Sequence, residues 1–378
     1  MKKQKLKKAS FWSMTVTLAV SLFFVGLTSC EKENYPLKST TYTFSSREFA
    51  DLYDRLPEID YGSLSVVGDG ILRFQSFDHF ESIYDNLERN CEIWDSIFLV
   101  SHANLSNSEL EDYEILHGYD EFLPLVIFEH NYDISNTSLR KAQSDAYNNW
   151  LNNNLKGEMP FDSLIIDDVE QTLFNVFHEV CIGDTIYSLR REGVILIPLD
   201  SVNNLRKYRQ LSFEDISAIF PVIQKAWDGT IEFAYIPAGK NDTLSLSSTE
   251  CVCVATNSAA WFRMNNSTKP KVVSKIINQK YKASQNKWVK TRRWTALELS
   301  VFFYWERYDI NTGLQADNGL SNEIDISTQT KNKRTMKVKA KDSITEESGY
   351  DYYYGVKRDP QLIITINNID HPLPIVFY

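Results

Sequence analysis

The chain has 378 residues, with 40 Lys and Arg against 50 Asp and Glu, a formal charge of −10. That balance keeps a protein soluble and speaks against nucleic acid as a general partner. The length exceeds one ordinary domain, so two are expected.

The first thirty residues carry the clearest address. Met1 to Lys8 contains Lys2, Lys3, Lys5, Lys7 and Lys8, and Phe11 to Leu27 is apolar and uncharged. A basic start, a short apolar stretch and small residues before a cut site predict a secretory signal peptide over 1–29. The apolar run is too short, and too soon followed by Glu31-Lys32-Glu33, for a spanning helix. Its removal takes away five Lys and no acid, leaving 35 basic residues against 50 acidic ones, a charge of −15. Leu27-Thr28-Ser29-Cys30 resembles the lipobox of bacterial lipoproteins. The resemblance implies that Cys30 is diacylated on sulfur (palmitate among the acyl chains) and acylated on its new amine. Several acyl chains anchor a protein where one does not. Cys30-Glu31-Lys32-Glu33 resembles the acid-rich tether that sends Bacteroidota-type lipoproteins to the outer face of the outer membrane, the periplasmic face being the alternative. Residues 30–42 are polar and aperiodic, a lipidated tether.

The body divides into an expected α+β domain over 43–225 and an all-β, antiparallel sandwich-like domain over 226–378. Ser45-Ser46-Arg47-Glu48 opens a helix carrying Phe49, Leu52, Tyr53 and Leu56, ended by Pro57. Strand Ile71–Phe74 leads to a helix from Ser76 with Phe77, Phe80, Tyr84 and Leu87 in one stripe, and a further helix spans Ser138 to Leu155. Residues 180–187 and 194–198, separated by Arg191-Glu192-Gly193, read as a hairpin, with Gly183-Asp184 a turn or bulge that holds the first strand in register. The pattern Asn175 … Val-x-Ile-Gly-Asp-x-Ile-Tyr … Gly-Val-x-x-Ile, within 45–205, resembles a conserved domain of uncharacterised Bacteroidota surface lipoproteins, a family without an assigned activity. Ser212-Phe213-Glu214-Asp215 caps a last helix before Pro221.

Beyond residue 225 the expected elements are all strands: 231–236, 243–247, 251–255, 260–264, 272–281, 287–294, 297–305, 323–327, 335–341, 361–366 and 374–378.

Catalytic and metal patterns are missing from the sequence. The six His form no His-Glu-x-x-His and no i, i+4 pair, and Gly-x-Ser-x-Gly and Gly-x-x-x-x-Gly-Lys are absent. Asp167-Asp168-Val169-Glu170 clusters carboxylates, yet adjacent Asp side chains diverge, so a solvated helix start is expected instead of a glycosidase pair. Asp309-Ile310-Asn311-Thr312-Gly313 with Asp317 resembles a calcium loop without its closing Glu and reads as a polar turn. No cofactor or metal is expected. Cys91, Cys181, Cys251 and Cys253 are disulfide candidates in an envelope compartment, with connectivity open.

Asp-Ser/Thr-aliphatic triplets occur six times, which resembles the sequon of the Bacteroidota general O-glycosylation system. The implied acceptors are Ser96, Ser163, Ser201, Thr243 and Ser343, with Thr185 the poorest because it lies in the hairpin. The competing reading is that such pairs simply start strands and turns.

One segment stands out electrostatically. From Cys253 to Leu297 there are ten Lys and Arg and no Asp or Glu. In an extended chain Trp288, Lys290, Arg292 and Trp294 share one face, within cation–π reach of each other. Two readings follow: a strand surface stabilised by its own stacking, or a ligand face of Lys282, Trp288, Lys290, Arg292 and Trp294 for an anionic glycan or an acidic protein. Lys337, Lys339 and Lys341 alternate on a second basic strand, as on a guarded sheet edge. The expected function is a lipid-anchored, non-enzymatic binding or adhesion protein of the cell surface. Its alternatives are a surface hydrolase with carboxylates drawn from distant segments, and a structural subunit of a surface assembly.

Overall fold

The computed structural model describes residues 42–153, 160, 162, 164–224, 232–237, 250–259, 263–264, 267–268, 271–301, 303–309, 311–320, 324–329, 331–341, 344–345, 350–356, 361–366 and 369–374. Side chains are described only in part of the later strands. Cys30, Ser163, Thr243 and Ser343 lie outside the described residues, as do the side chains of Cys251 and Cys253.

Helix α1 (Arg47–Tyr53) starts where Ser46 accepts the Phe49 amide and buries Phe49 and Leu52. Strands β1 (Ser65–Val67) and β2 (Ile71–Phe74) form a hairpin. Between them Gly70 has φ +75, and a Cβ there would meet Thr137 Oγ1 at 2.0 Å, so glycine is required.

Helix α2 (Phe77–Ser101) begins at Ser76, which accepts the His79 amide. Its apolar stripe continues past the expected residues through Ile83, Trp94 and Phe98. Two helices follow that periodicity did not foretell. One is α3 (Asn107–His117), with a Ser106–Glu109 capping box and Gly118 as its left-handed C-cap. The other is α4 (Leu123–Asn131), apolar almost all round. Helix α5 (Leu139–Asn152) starts at Ser138 and α6 (Asp168–Leu173) at Asp167.

Strands β3 (Glu179–Ile182), β4 (Thr185–Leu189), β5 (Gly193–Pro198) and β6 (Val222–Gln224) complete a six-stranded sheet in sequential order. Only β2 and β3 are parallel, which needs the long helical crossover between them. Gly183, at φ +62, and Asp184 make the two-residue turn of the β3–β4 hairpin. Strand alternation splits the sheet's two faces. Leu72, Phe74, Val180 and Ile182 pack beneath the helices, whereas Ile71, Cys181, Ile186 and Ile195 face helices α7 (Leu205–Tyr208) and α8 (Phe213–Ser217).

After Gln224 every described α or β element is a strand. These are β7 (Glu232–Pro237), β8 (Glu250–Ala259), β9 (Arg263–Met264), β10 (Ser267–Thr268), β11 (Lys271–Lys282), β12 (Lys287–Lys290), β13 (Arg293–Val301), β14 (Phe303–Asp309), β15 (Gln315–Leu320), β16 (Ile324–Ser327), β17 (Lys331–Lys333), β18 (Thr335–Lys341), β19 (Ile344–Thr345), β20 (Tyr350–Val356), β21 (Gln361–Ile366) and β22 (Ile369–Pro374). Pairing is antiparallel throughout, with two five-stranded sheets built on β11 and β13. The fold is therefore an α+β region followed by an all-β region, as the sequence implies. The described residues belong to one compact unit.

Candidate functional site

The expected basic strands lie against the helices of the first half, not against solvent. Helix α2 supplies Glu88 and Asp95, seven residues apart and hence on one side. Helix α3 supplies Glu111, Asp112 and Glu114, the turn before α4 supplies Glu121, and the start of α6 supplies Asp167 and Asp168. Facing them are Lys275, Lys280 and Lys282 of β11, Lys290 of β12, Arg292 just beyond it, Lys333 of β17, Arg334, and Lys337 and Lys339 of β18.

Arg292 holds the centre. Its guanidinium bonds Asp95 at 2.6 Å and Glu114 at 2.5 Å, with only 5% of its side chain exposed. Each acid keeps a second cation. Lys333 lies 2.5 Å from the other Asp95 oxygen, and Arg334 lies 2.9 Å from Glu114. Around this centre Lys290 pairs with Glu121 (3.1 Å), Lys280 with Glu111 (3.2 Å) and Lys282 with Asp112 (2.6 Å).

Further along, Lys275 and Lys337 stand directly opposite each other across β11 and β18. Like charges in that register repel. Here they are separated electrostatically by Asp168, 2.6 Å from Lys275, and Asp167, 2.8 Å from Lys337. Glu88 bridges Lys337 and Lys339. Beside the ionic seam lies an apolar one, where Tyr147, Trp150 and Leu151 of α5 pack on Ile277 and Trp288.

The protonation behaviour follows from burial and charge together. Burial pushes Asp95 up, but Arg292 and Lys333 outweigh it and hold the carboxyl below its usual range. The same contest favours the ionised form at Glu88, through Lys337 and Lys339, and at Glu121, through Lys290 and Arg334. At Glu114 burial prevails over both arginines and raises the carboxyl. Burial lowers the Lys337 ammonium, yet Asp167 and Glu88 raise it overall.

The ligand-face expectation changes accordingly. Trp288 is buried, Lys282 and Arg292 are ion-paired to helices, Lys290 is paired to Glu121 in the turn before α4, and Trp294 alone of the five is exposed, at 54%. The shared indole–cation face does not form, because β12 stops at Lys290 and Thr291–Arg292 interrupts the strand. Lys290 instead stands over Phe122 and Tyr147, and Arg292 over Phe98 and Tyr119. Lys337 and Lys339 likewise face helix α2, not an open edge.

Asp167 is a correction of the same kind: it is fully buried and not solvated. It caps α6 through the Val169 and Glu170 amides and accepts from Tyr84 and Lys337. Cys91 and Cys181 are free thiols and form no disulfide. They belong to opposite sides of the first sheet, and burial raises both thiols, Cys181 to about 12.

Ser96 is exposed on α2 and donates to the Glu92 carbonyl, while Ser201 lies in a 3-10 turn and donates to Asp200. Asp309 accepts from Asn311, Thr312 and the Thr312 hydroxyl, which makes it the head of a polar turn. Among the described residues no group of three or more His, Cys, Asp or Glu could hold a metal ion, and no helix is long and apolar enough to cross a membrane.

Sequence reasoning missed the acids. Glu88, Asp95, Glu111, Glu114 and Glu121 look like ordinary solvated helix charges. The available signal was the acid-free stretch itself, which required counter-charge from elsewhere once its strands were buried. No family model matches the chain, and no curated protein matches it.

Proposed function

We propose that the protein is a lipid-anchored, outer-membrane lipoprotein exposed at the cell surface, acting as a non-enzymatic binding or adhesion module of the Bacteroidota type. The observation that carries the reading is Leu27-Thr28-Ser29-Cys30 after a basic and then apolar leader. Cys30 carries the acyl chains, and residues 30–42 hold the body away from the membrane. A partner outside the cell, glycan or protein, is bound by the body.

Within the seam, the carboxylates are arranged as partners of buried cations and not as a hydrolytic pair. A glycosidase needs one carboxyl held protonated beside a second that is ionised. Glu88, Asp95 and Glu121 are all held in the ionised state by neighbouring cations. The raised one, Glu114, is closed between two guanidiniums with no exposed side-chain surface.

The test is Cys30→Ala with membrane fractionation and metabolic labelling by a clickable palmitate. Loss of label and release from membranes are expected; retention of both would overturn the anchor. Protease shaving of intact cells separates the outer face from the periplasmic one. An array of anionic and neutral glycans, probed with the full chain, tests the binding role.

A further inference from the structure

The charged seam is not closed along its whole length. Between α2 and strands β17 and β18 it opens into a cavity of about 250 Å³. Its helix wall is acidic and its strand wall is basic. Inside, the walls meet: Asp95 pairs with Lys333. At the mouth they do not. Glu92 on α2 and Lys331 on β17 both line the cavity and are exposed, and among the described residues neither forms an ion pair. Phe122 and Met336 add an apolar surface to the same space.

We infer that this cavity binds a free α-amino acid with an apolar side chain. This rests on reading the body as a binding module, but not on the lipid anchor. A ligand of one charge is attracted by one wall and repelled by the other. A zwitterion satisfies both, its ammonium facing Glu92 and its carboxylate facing Lys331. The side chain then takes the apolar patch of Phe122 and Met336, a common division of labour in small-molecule sites. A cavity of about 250 Å³ has room for a small molecule such as an amino acid.

The experiment is calorimetric titration of the full-length protein in detergent with L-leucine and L-phenylalanine. The comparisons are 3-methylbutylamine, which lacks the carboxylate, and 4-methylpentanoate, which lacks the amine. Saturable binding of at least one amino acid is expected, with each single-charge analogue at least tenfold weaker. Lys331→Met and Glu92→Gln change exposed side chains outside the ion pairs and should each weaken binding at least tenfold. Lys282→Ser, away from the cavity, should leave it unchanged. The inference is overturned if neither amino acid binds, if an analogue binds equally well, or if the Lys331 and Glu92 variants bind normally. Glycan or protein capture by a protein that ignores amino acids would remove this site and leave the binding role standing.

Discussion

Replacing Arg292 by Met keeps most of the side-chain volume and deletes one guanidinium from the centre of the seam. The two carboxylates it joins are almost fully buried, with 5% and 0% of their side chains exposed. A contact of about 4 Å contributes roughly 4 kcal/mol of attraction at an effective dielectric near 20, so two contacts give about 8 kcal/mol before desolvation is subtracted. Burying the guanidinium offsets much of that. Removing one partner from a buried pair typically costs about 3–5 kcal/mol. Asp95 retains Lys333 and Glu114 retains Arg334, which sets the expectation at the lower end, about 3 kcal/mol. Urea unfolding followed by tryptophan fluorescence reads it as a lower midpoint at unchanged slope. A change under about 0.5 kcal/mol, the usual size for a surface site, would refute the reasoning. It would mean that Arg292 faces solvent, as a ligand-binding residue should.

Acid should loosen the protein in a defined window. Glu88, Asp95 and Glu121 are held below their ordinary values, so the unfolded chain takes up protons first as pH falls. Their stabilisation is complete above about pH 4.5 and is lost as pH drops through the folded values, with the raised Glu114 contributing a change of opposite sign; urea midpoints between pH 7 and pH 3 check the sign. Asp167→Ala removes a helix cap and a partner of Lys337 and should cost about 3 kcal/mol, whereas Asp167→Asn should recover the cap's share of about 1 kcal/mol. Gly70→Ala places a Cβ 2.0 Å from Thr137 Oγ1 at φ +75 and should cost about 2 kcal/mol or more; a neutral result would contradict the turn. Cys181, with its thiol near 12, should resist iodoacetamide at pH 8 until urea is added, as peptide mass spectrometry would show.

Local rules made much of the fold legible. Ser46, Ser76, Ser138 and Ser212 each marked a helix start, because a capping hydroxyl is a short-range requirement visible in the chain. Strands Ile71–Phe74, Thr335–Lys341 and Gln361–Ile366 were readable from alternation and their turns. Helix α4 escaped because Leu123–Asn131 is apolar on nearly every side and carries no amphipathic period. Strand β20 escaped because its tyrosines give a continuous run, without polar alternation.

The seam escaped for a different reason. Whether a Lys row meets water or acid depends on which surface folds over it, and Asp95 and Arg292 are 197 residues apart. Charge alternation on a strand has two physical solutions, a guarded edge or a buried counter-charged face. Only the topology chooses between them. The proposed lipid anchor, by contrast, rests on a purely local motif of four residues.

Native-state hydrogen exchange reports whether opposite charges join the helices and the C-terminal strands into one cooperative body. Amides of α2 and of β11 and β18 should open with the same free energy, and Arg292→Met should lower both by the same amount. Strands that keep their protection while α2 loses its own would show that the charged seam does not couple the two.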